Sequence, residues 1–304
     1  MKNESFWPNG ARLAITFSAQ FEAGGQPISG SPGPVTEAIV PGFPDLPTNS
    51  YFDYGVHEGM PRIMRLFSKH GIKFSSFMIG EAVDKSRDLV RQIHAEGHEC
   101  AAHGRQWTNQ YTLPADEERA WIKSSADSIE AAIGERPLGY NCFWMRGSPR
   151  TLELLQREGF LYHIDDMSRD EPFTQTVNGK PFVTVPYTVH LNDIASFNFP
   201  GFNPSAFEQQ LADEFEELYE EGAQRRRMMI VSLHDRISGH ASRVRSLDRF
   251  ITYAKSHPGV VFMRKDEIAK WALSTPDVTP HIERGPAEVS GLPGTSRDGV
   301  QSVA

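Results

Sequence analysis

Cysteine is nearly absent from this chain. Its 304 residues include only Cys100 and Cys142, so a disulfide scaffold is excluded and two buried free thiols are expected. Basic charge is also scarce: 31 Lys and Arg stand against 39 Asp and Glu, for a net charge of -8. Nucleic-acid partners usually require a basic footprint, and this balance argues against them. The run Arg225, Arg226 and Arg227 lies between an acidic helical pattern and an apolar strand, and reads as a solvated connection. No window reaches the ~18 apolar residues of a membrane span. Residues 1–9 are polar and carry no signal-like apolar stretch. A cytoplasmic protein without a membrane partner is expected, which already disfavours work on exported cell-wall polymer.

Short apolar runs alternate with amphipathic helical patterns. The runs at 12–20, 73–80, 98–103, 138–143, 162–166, 182–188, 228–234 and 260–263 read as strands. Between them, 59–70, 86–96, 114–133, 149–158, 205–223, 242–256 and 266–272 read as helices, and Ser86 is a candidate N-cap. The Pro/Gly-rich stretch 34–53 reads as a long loop near the site. This order predicts an α/β fold, a distorted (β/α) barrel of about seven strands, as one domain over residues 1–273. The Pro-, Gly-, Ser- and Thr-rich residues 274–304 read as a poorly ordered tail or an arm on a partner subunit. A homo-oligomer is expected only because symmetric ones are common.

Barrel active sites gather at the C-terminal ends of strands. There this chain places Gln20 and Glu22, His103 and Arg105, Asp165 and Asp166, and His234 with Asp235 and Arg236. Glu22, ahead of Gly24-Gly25, is a base if burial raises its pKa, and a plain loop acid otherwise. His103, Arg105 and Trp107 suit a pocket for a flat polar molecule; a packed indole beside a surface Arg is the equally good bland reading. His98, at the strand start, reads as structural. His234 sits where a general acid would, with Asp235 and Arg236 to orient it. Asn141, Trp144 and Asp166 are candidate pocket walls, although purely structural ion pairs would look the same.

In order along the chain stand a polar strand end at Ser18-Ala19-Gln20, Gly97-His98-Glu99-x-x-x-His103, Arg136-Pro137-x-Gly139-Tyr140, Tyr162-x-x-Asp165 and Leu233-His234. Together they resemble the motifs of the polysaccharide deacetylase superfamily, the NodB-homology proteins, over residues 7–272. That resemblance implies a distorted barrel of about seven strands. It also implies a divalent metal held by one Asp and two His, a second Asp as base and a late His as acid. Here Ser18 and Gln20 stand at the two Asp positions, Trp107 at the second His, and Asn141 at an Arg that usually follows Gly-Tyr. His103 is the one standard ligand position kept. The stretches Phe21-Glu22-Ala23-Gly24-Gly25, His103-Gly104-Arg105-Gln106-Trp107, Val185-Pro186-Tyr187-Thr188 and Asn192-Asp193 are similar to the allantoinase and cyclic imide hydrolase branch, which the resemblance implies works without that metal.

The expected activity is hydrolysis of a C–N bond in a small cyclic amide, imide or ureide. Glu22 would position or deprotonate water, and His234 would protonate the leaving nitrogen. His103 and Arg105 would bind carbonyl oxygens, while Gln20, Trp107, Asn141, Trp144, Asp166 and Arg236 shape the pocket. No cofactor is expected. The alternatives are zinc or another divalent metal in a sugar deacetylase or in an imidase with unusual ligands, and a degenerate barrel that only binds.

Overall fold

The inner face of one buried strand explains where the site lies. In the computed structural model, which describes residues 6–34, 37–197, 203–276 and 278–285, strand β1 (Leu13–Phe21) is buried at all nine positions. Side chains alternate between faces along a strand. Leu13, Ile15, Phe17, Ala19 and Phe21 join the core packed under the helices, whereas Ala14 joins a second core inside the sheet's curve. The inner face therefore runs Ala14, Thr16, Ser18, Gln20 and on to Glu22. It is apolar at the bottom and increasingly polar toward the top.

The remaining strands are β2 (Ser75–Met78), β3 (Glu99–Ala102), β4 (Gly139–Tyr140), β5 (Tyr162–His163), β6 (Phe173–Val177), β7 (Lys180–Thr184), β8 (Arg227–His234), β9 (Val260–Phe262) and β10 (His281–Ile282). Their order is β10-β6-β7-β5-β4-β3-β2-β1-β8, with β9 on the first residues of β1. Every pairing is parallel except the β6–β7 hairpin. Beyond β7 the chain meets β8 at the bridge Asn192–Ser232, where the Ser232 amide donates to Leu191 O at 3.1 Å. The sheet thus curls back toward itself, in keeping with the expected distorted barrel. No helix among the described residues is long and apolar enough to cross a membrane.

Among the described residues, ten strands replace the expected seven or eight. The β6–β7 turn is Asn178-Gly179, both at positive φ, the dipeptide that suits a tight hairpin whose two turn residues are left-handed. Half of the expected loop at 34–53 is helix: Leu46–Tyr54 starts on Asp45, whose carboxylate accepts from the Thr48 amide at 3.1 Å. The tail reading needs correction up to residue 285. There β10 pairs with β6, and Arg284 reaches Glu153 and the Pro149 carbonyl, so this stretch docks on its own domain. Residues 286–304 lie outside the described residues.

Opposite the site, at the strand starts, Glu99 accepts from Tyr162 Oη at 2.7 Å, from Ser75 Oγ and from the Asp266 amide. Burial, reinforced by Asp266, pushes its carboxyl up to about 7. Polar groups at this end of a barrel serve stability.

The helix at Leu46–Tyr54 runs through a wide turn, Gly55–Gly59, into Met60–His70. Both glycines lie against Asp235. A Cβ on Gly59 would sit 2.0 Å from the Asp235 carbonyl oxygen, and one on Gly55 would sit 2.5 Å from its carboxylate. That close approach fixes the turn after β8. Gly59→Ala is therefore expected to destabilise by roughly 1–3 kcal/mol, the usual cost of overpacking. Urea unfolding will show it, and an unchanged midpoint would mean that the turn yields freely.

Candidate active site

The strand ends open into a cavity of about 570 Å³ lined by Gln20, Glu22, His103, Trp107, Asn141, His234 and Arg236 among others. Five of the strand-end residues expected from the sequence thus meet here with the pocket candidates Asn141 and Trp107. Register explains part of this: Gln20 pairs with His234 across β1 and β8, and Glu22 follows two residues later on the same face.

Glu22 is the hub. One carboxylate oxygen lies 2.6 Å from Arg236 Nη1 and the other 3.3 Å from His103 Nε2. All three side chains are buried. Burial alone would raise the Glu22 carboxyl, but the Arg236 charge, the His103 hydrogen bond and the His234 and His103 charges outweigh it. Its pKa is held far below the ordinary 4.5. Glu22 is ionised, with an oxygen committed to each partner. His103 Nδ1 faces the Asn141 carbonyl at 2.9 Å. Both ring nitrogens thus meet acceptor-only oxygens, and only a doubly protonated ring satisfies both.

Arg236 is caged. Its guanidinium lies 4.5 Å from the Phe52 ring centre and 5.6 Å from that of Trp107. Trp107 also packs on Phe52 and Phe143.

His234 differs. Its Nδ1 lies 2.6 Å from Asp193 Oδ1, and its amide donates to Oδ2, also at 2.6 Å. Ser238 adds hydrogen bonds from its amide and hydroxyl to the same carboxylate. Nδ1 is the nitrogen that donates in this pair, which leaves Nε2 facing the cavity with no partner among the described residues.

Several expectations change. Arg105 leaves the site: it binds Asp84 at 2.7 Å and Ser128 at 2.6 Å, tying the loop after β3 to two helices, and it is Arg236 that lies beside Glu22 in the pocket. Asp166 turns away to cap Ser168. Asp165 instead takes the Asn141 side-chain amide at 2.5 Å and the Cys142 amide. Asp235 does not orient His234; it binds the Arg236 amide, and burial pushes it up to about 7. The orienting acid is Asp193, a residue quoted in the sequence reading only as part of a resemblance. Trp144 lies half-exposed at the rim, with Trp144 and Met145 both at positive φ. Tyr51, Phe143, Tyr187, His240 and Arg243 also line the cavity and were not expected.

Known proteins place this geometry in a family. A polysaccharide deacetylase family model matches residues 48–161. The crystal structure of a probable polysaccharide deacetylase from Pseudomonas aeruginosa PAO1 is 30% identical, covers 90% of this chain and 95% of its own, and superposes with a TM-score of 0.83. The chain belongs to the polysaccharide deacetylase family. Within that family, the crystal structure of PuuE allantoinase is similar at 32% identity, over 90% of this chain and 94% of its own, with a TM-score of 0.83. A Schizosaccharomyces pombe protein described as a polysaccharide deacetylase is 29% identical over 300 residues, 89% of this chain and 93% of that one. The chain is a hydrolase of carbon–nitrogen bonds other than peptide bonds.

The divalent metal associated with this family does not suit these residues. Among the described residues, no three His, Cys, Asp or Glu side chains gather as a metal-holding group. Glu22 already carries a guanidinium, the His103 nitrogens are both engaged, and the neighbouring positions supply Gln20 and Trp107. A dication here would meet Arg236 and a carboxylate already neutralised.

Two predictions follow from this geometry. Asp193→Asn removes the anchor for His234 and permits the wrong tautomer, so activity should fall ~10²–10⁴-fold, as for other oriented histidines. A near-normal kcat would remove His234 from the chemistry. Arg236→Met removes the main partner of Glu22, leaves it His103 alone, and should cost ~3–5 kcal/mol. The pH dependence should also weaken. In the parent, Glu22 contributes stability above its unfolded pKa that is lost as pH falls through the much lower folded value. In the variant the folded pKa moves up toward the ordinary 4.5, so less stability is lost on acidification. Denaturant midpoints followed from neutral pH into the acid range will show the smaller loss.

Proposed function

We propose that this hydrolase opens a small cyclic imide or ureide with water, using its own side chains and no metal. One observation carries the reading: a buried Arg236–Glu22–His103 cluster occupies the site beside a histidine, His234, whose Nε2 has no partner among the described residues. A fixed guanidinium supplies positive charge for a developing oxyanion, which is the largest single contribution in much acyl-transfer chemistry. His234 Nε2 takes the proton of the attacking water. The tetrahedral oxyanion forms beside Arg236, whose N–H groups other than the one on Glu22 have no partner among the described residues. The C–N bond then breaks, and His234 returns the proton to the departing nitrogen. The product is a carboxylate with an amide or urea on the same chain. Glu22, already ionised and held at low pKa, is a poor proton acceptor; it holds Arg236 and His103 in place.

The substrate class is supported by two further features. An imide or ureide nitrogen leaves more readily than an ordinary amide nitrogen, because a second carbonyl shares its charge, so less electrophilic help is needed. Gln20 Oε1 is buried with no hydrogen-bond partner among the described residues, and a ring N–H would satisfy it. The walls provided by Trp107, Phe143 and Tyr187 suit a flat ring in a cavity of ordinary small-ligand size.

The test is turnover of succinimide, hydantoin, dihydrouracil and allantoin beside an acetylated chitooligosaccharide, with metal content measured on the same sample. Ring opening that persists after chelation is expected, and His234→Ala should lower it at least 10²-fold. Acetate release that requires stoichiometric metal would instead make the chain a deacetylase with a rebuilt site.

A further inference from the structure

The cavity holds a second guanidinium that the proposed chemistry does not use. Arg243 lines it, lies 4.1 Å over the Phe197 ring and gives one N–H to the Ile237 carbonyl at 2.9 Å. Unlike Arg236, it has no carboxylate partner among the described residues. The acid lining the cavity, Glu22, is taken by Arg236 and His103, and the nearby Asp193 lies behind His234 with both oxygens accepting.

Its position in the helix adds to the mismatch. Arg243 is in the first turn of the helix Ala241–Lys255, which has no acidic residue in that turn and no side-chain cap. The helix dipole makes this the positive end, where a carboxylate is favourable and a guanidinium is not. Beside it, His240 is pushed below its ordinary value by burial and by the charges of Arg243 and Arg62, so it brings no negative charge either. A positive group on a positive helix end, in a chain of net charge -8, is a local conflict that no carboxylate among the described residues compensates. Such conflicts are typical of ligand sites. The cavity, at about 570 Å³, also exceeds what a bare five-membered ring fills.

We propose that Arg243 is a specificity residue that binds a carboxylate carried by the ring substrate, so that the natural substrate is an acidic cyclic imide or ureide. This deepens the ring-opening reading and rests on it. The ring would sit between Gln20 and His234, with its acidic arm directed to Arg243 at the end of the helix Ala241–Lys255.

The experiment compares hydantoin with hydantoin-5-acetate, and succinimide with its carboxymethyl derivative, in the parent, Arg243→Lys and Arg243→Met. The acidic member of each pair should have the higher kcat/KM in the parent. Arg243→Met should lower that preference at least tenfold, chiefly through KM of the acidic ring, and Arg243→Lys should keep part of it. Thermal melts of each variant separate this from misfolding. A parent that opens neutral and acidic rings equally well, or a preference that survives Arg243→Met, overturns the Arg243 proposal and leaves ring opening intact. A parent that opens neither ring and releases acetate from the chitooligosaccharide overturns both.

Discussion

The ion pair between Glu22 and Arg236 is the constraint around which the site is arranged. Neither charge is tolerable alone at that depth, since an isolated buried ion costs several kcal/mol. Each is kept by the other, and the pair is kept by its surroundings. The helix Leu46–Tyr54 contributes Phe52, and the loop after β3 contributes Trp107, one ring on each flank of the guanidinium. β1 delivers Glu22 and β8 delivers Arg236. Gly55 and Gly59 allow the helical segment to press against the turn that starts with Asp235. Four separate parts of the chain therefore meet at one salt bridge, and a permanent positive charge is fixed where substrate carbonyls can reach it. The family's usual answer to the same electrostatic need is a bound cation. Here Arg236 is covalently part of the wall and brings a fixed positive charge of its own.

Local pattern made the barrel readable. Seven strand–helix alternations with caps and apolar periods predict a parallel α/β sheet, and the observed sheet is that, with a hairpin and a short terminal strand added. The additions were harder for physical reasons. β6 is an edge-side strand with a mixed burial pattern and no apolar run, and β10 has two residues. Their only strong local mark is Asn178-Gly179. The helix Leu46–Tyr54 was obscured by Pro41, Pro44 and Pro47, although a Pro in the first turn is compatible with a helix start.

The site was legible to the extent that strand ends determine it. Gln20, Glu22, His103, Asn141 and His234 come straight from strand ends, and Arg236 and Trp107 from the turns just after them. Sequence adjacency misled elsewhere. Arg105 shares the loop of Trp107, yet the loop turns at Gly104 and sends Arg105 toward Asp84. Asp235 is next to His234, yet consecutive residues cannot share a face, and the orienting acid arrives from Asp193, 41 positions earlier. Asp166 and Asp165 divide in the same way. What was not legible was long-range pairing, because nothing in one sequence says which acid meets which histidine.

The two histidines show how environment divides similar groups into different roles. His103 is satisfied on both sides by oxygen acceptors, one of them Glu22, so it has no nitrogen to lend and serves as a fixed part of the charge cluster. His234 is satisfied on one side only. Its Asp193 partner is itself held by Ser238 and by the His234 amide, which fixes the ring orientation and leaves Nε2 as the movable proton's station. A water molecule between Nε2 and a ring carbonyl would have a base on one side and Arg236 on the other. In the proposed ring opening, the same nitrogen would return the proton when the ring nitrogen leaves. A single oriented histidine can serve both half-steps only if the other charged groups do not compete for that proton. Glu22 is removed from competition by its salt bridge, and His103 by its two acceptors. Under the proposed reaction the cluster would protect the proton path as well as polarise the substrate, and the carboxylate beside a histidine would be scaffolding rather than a second base.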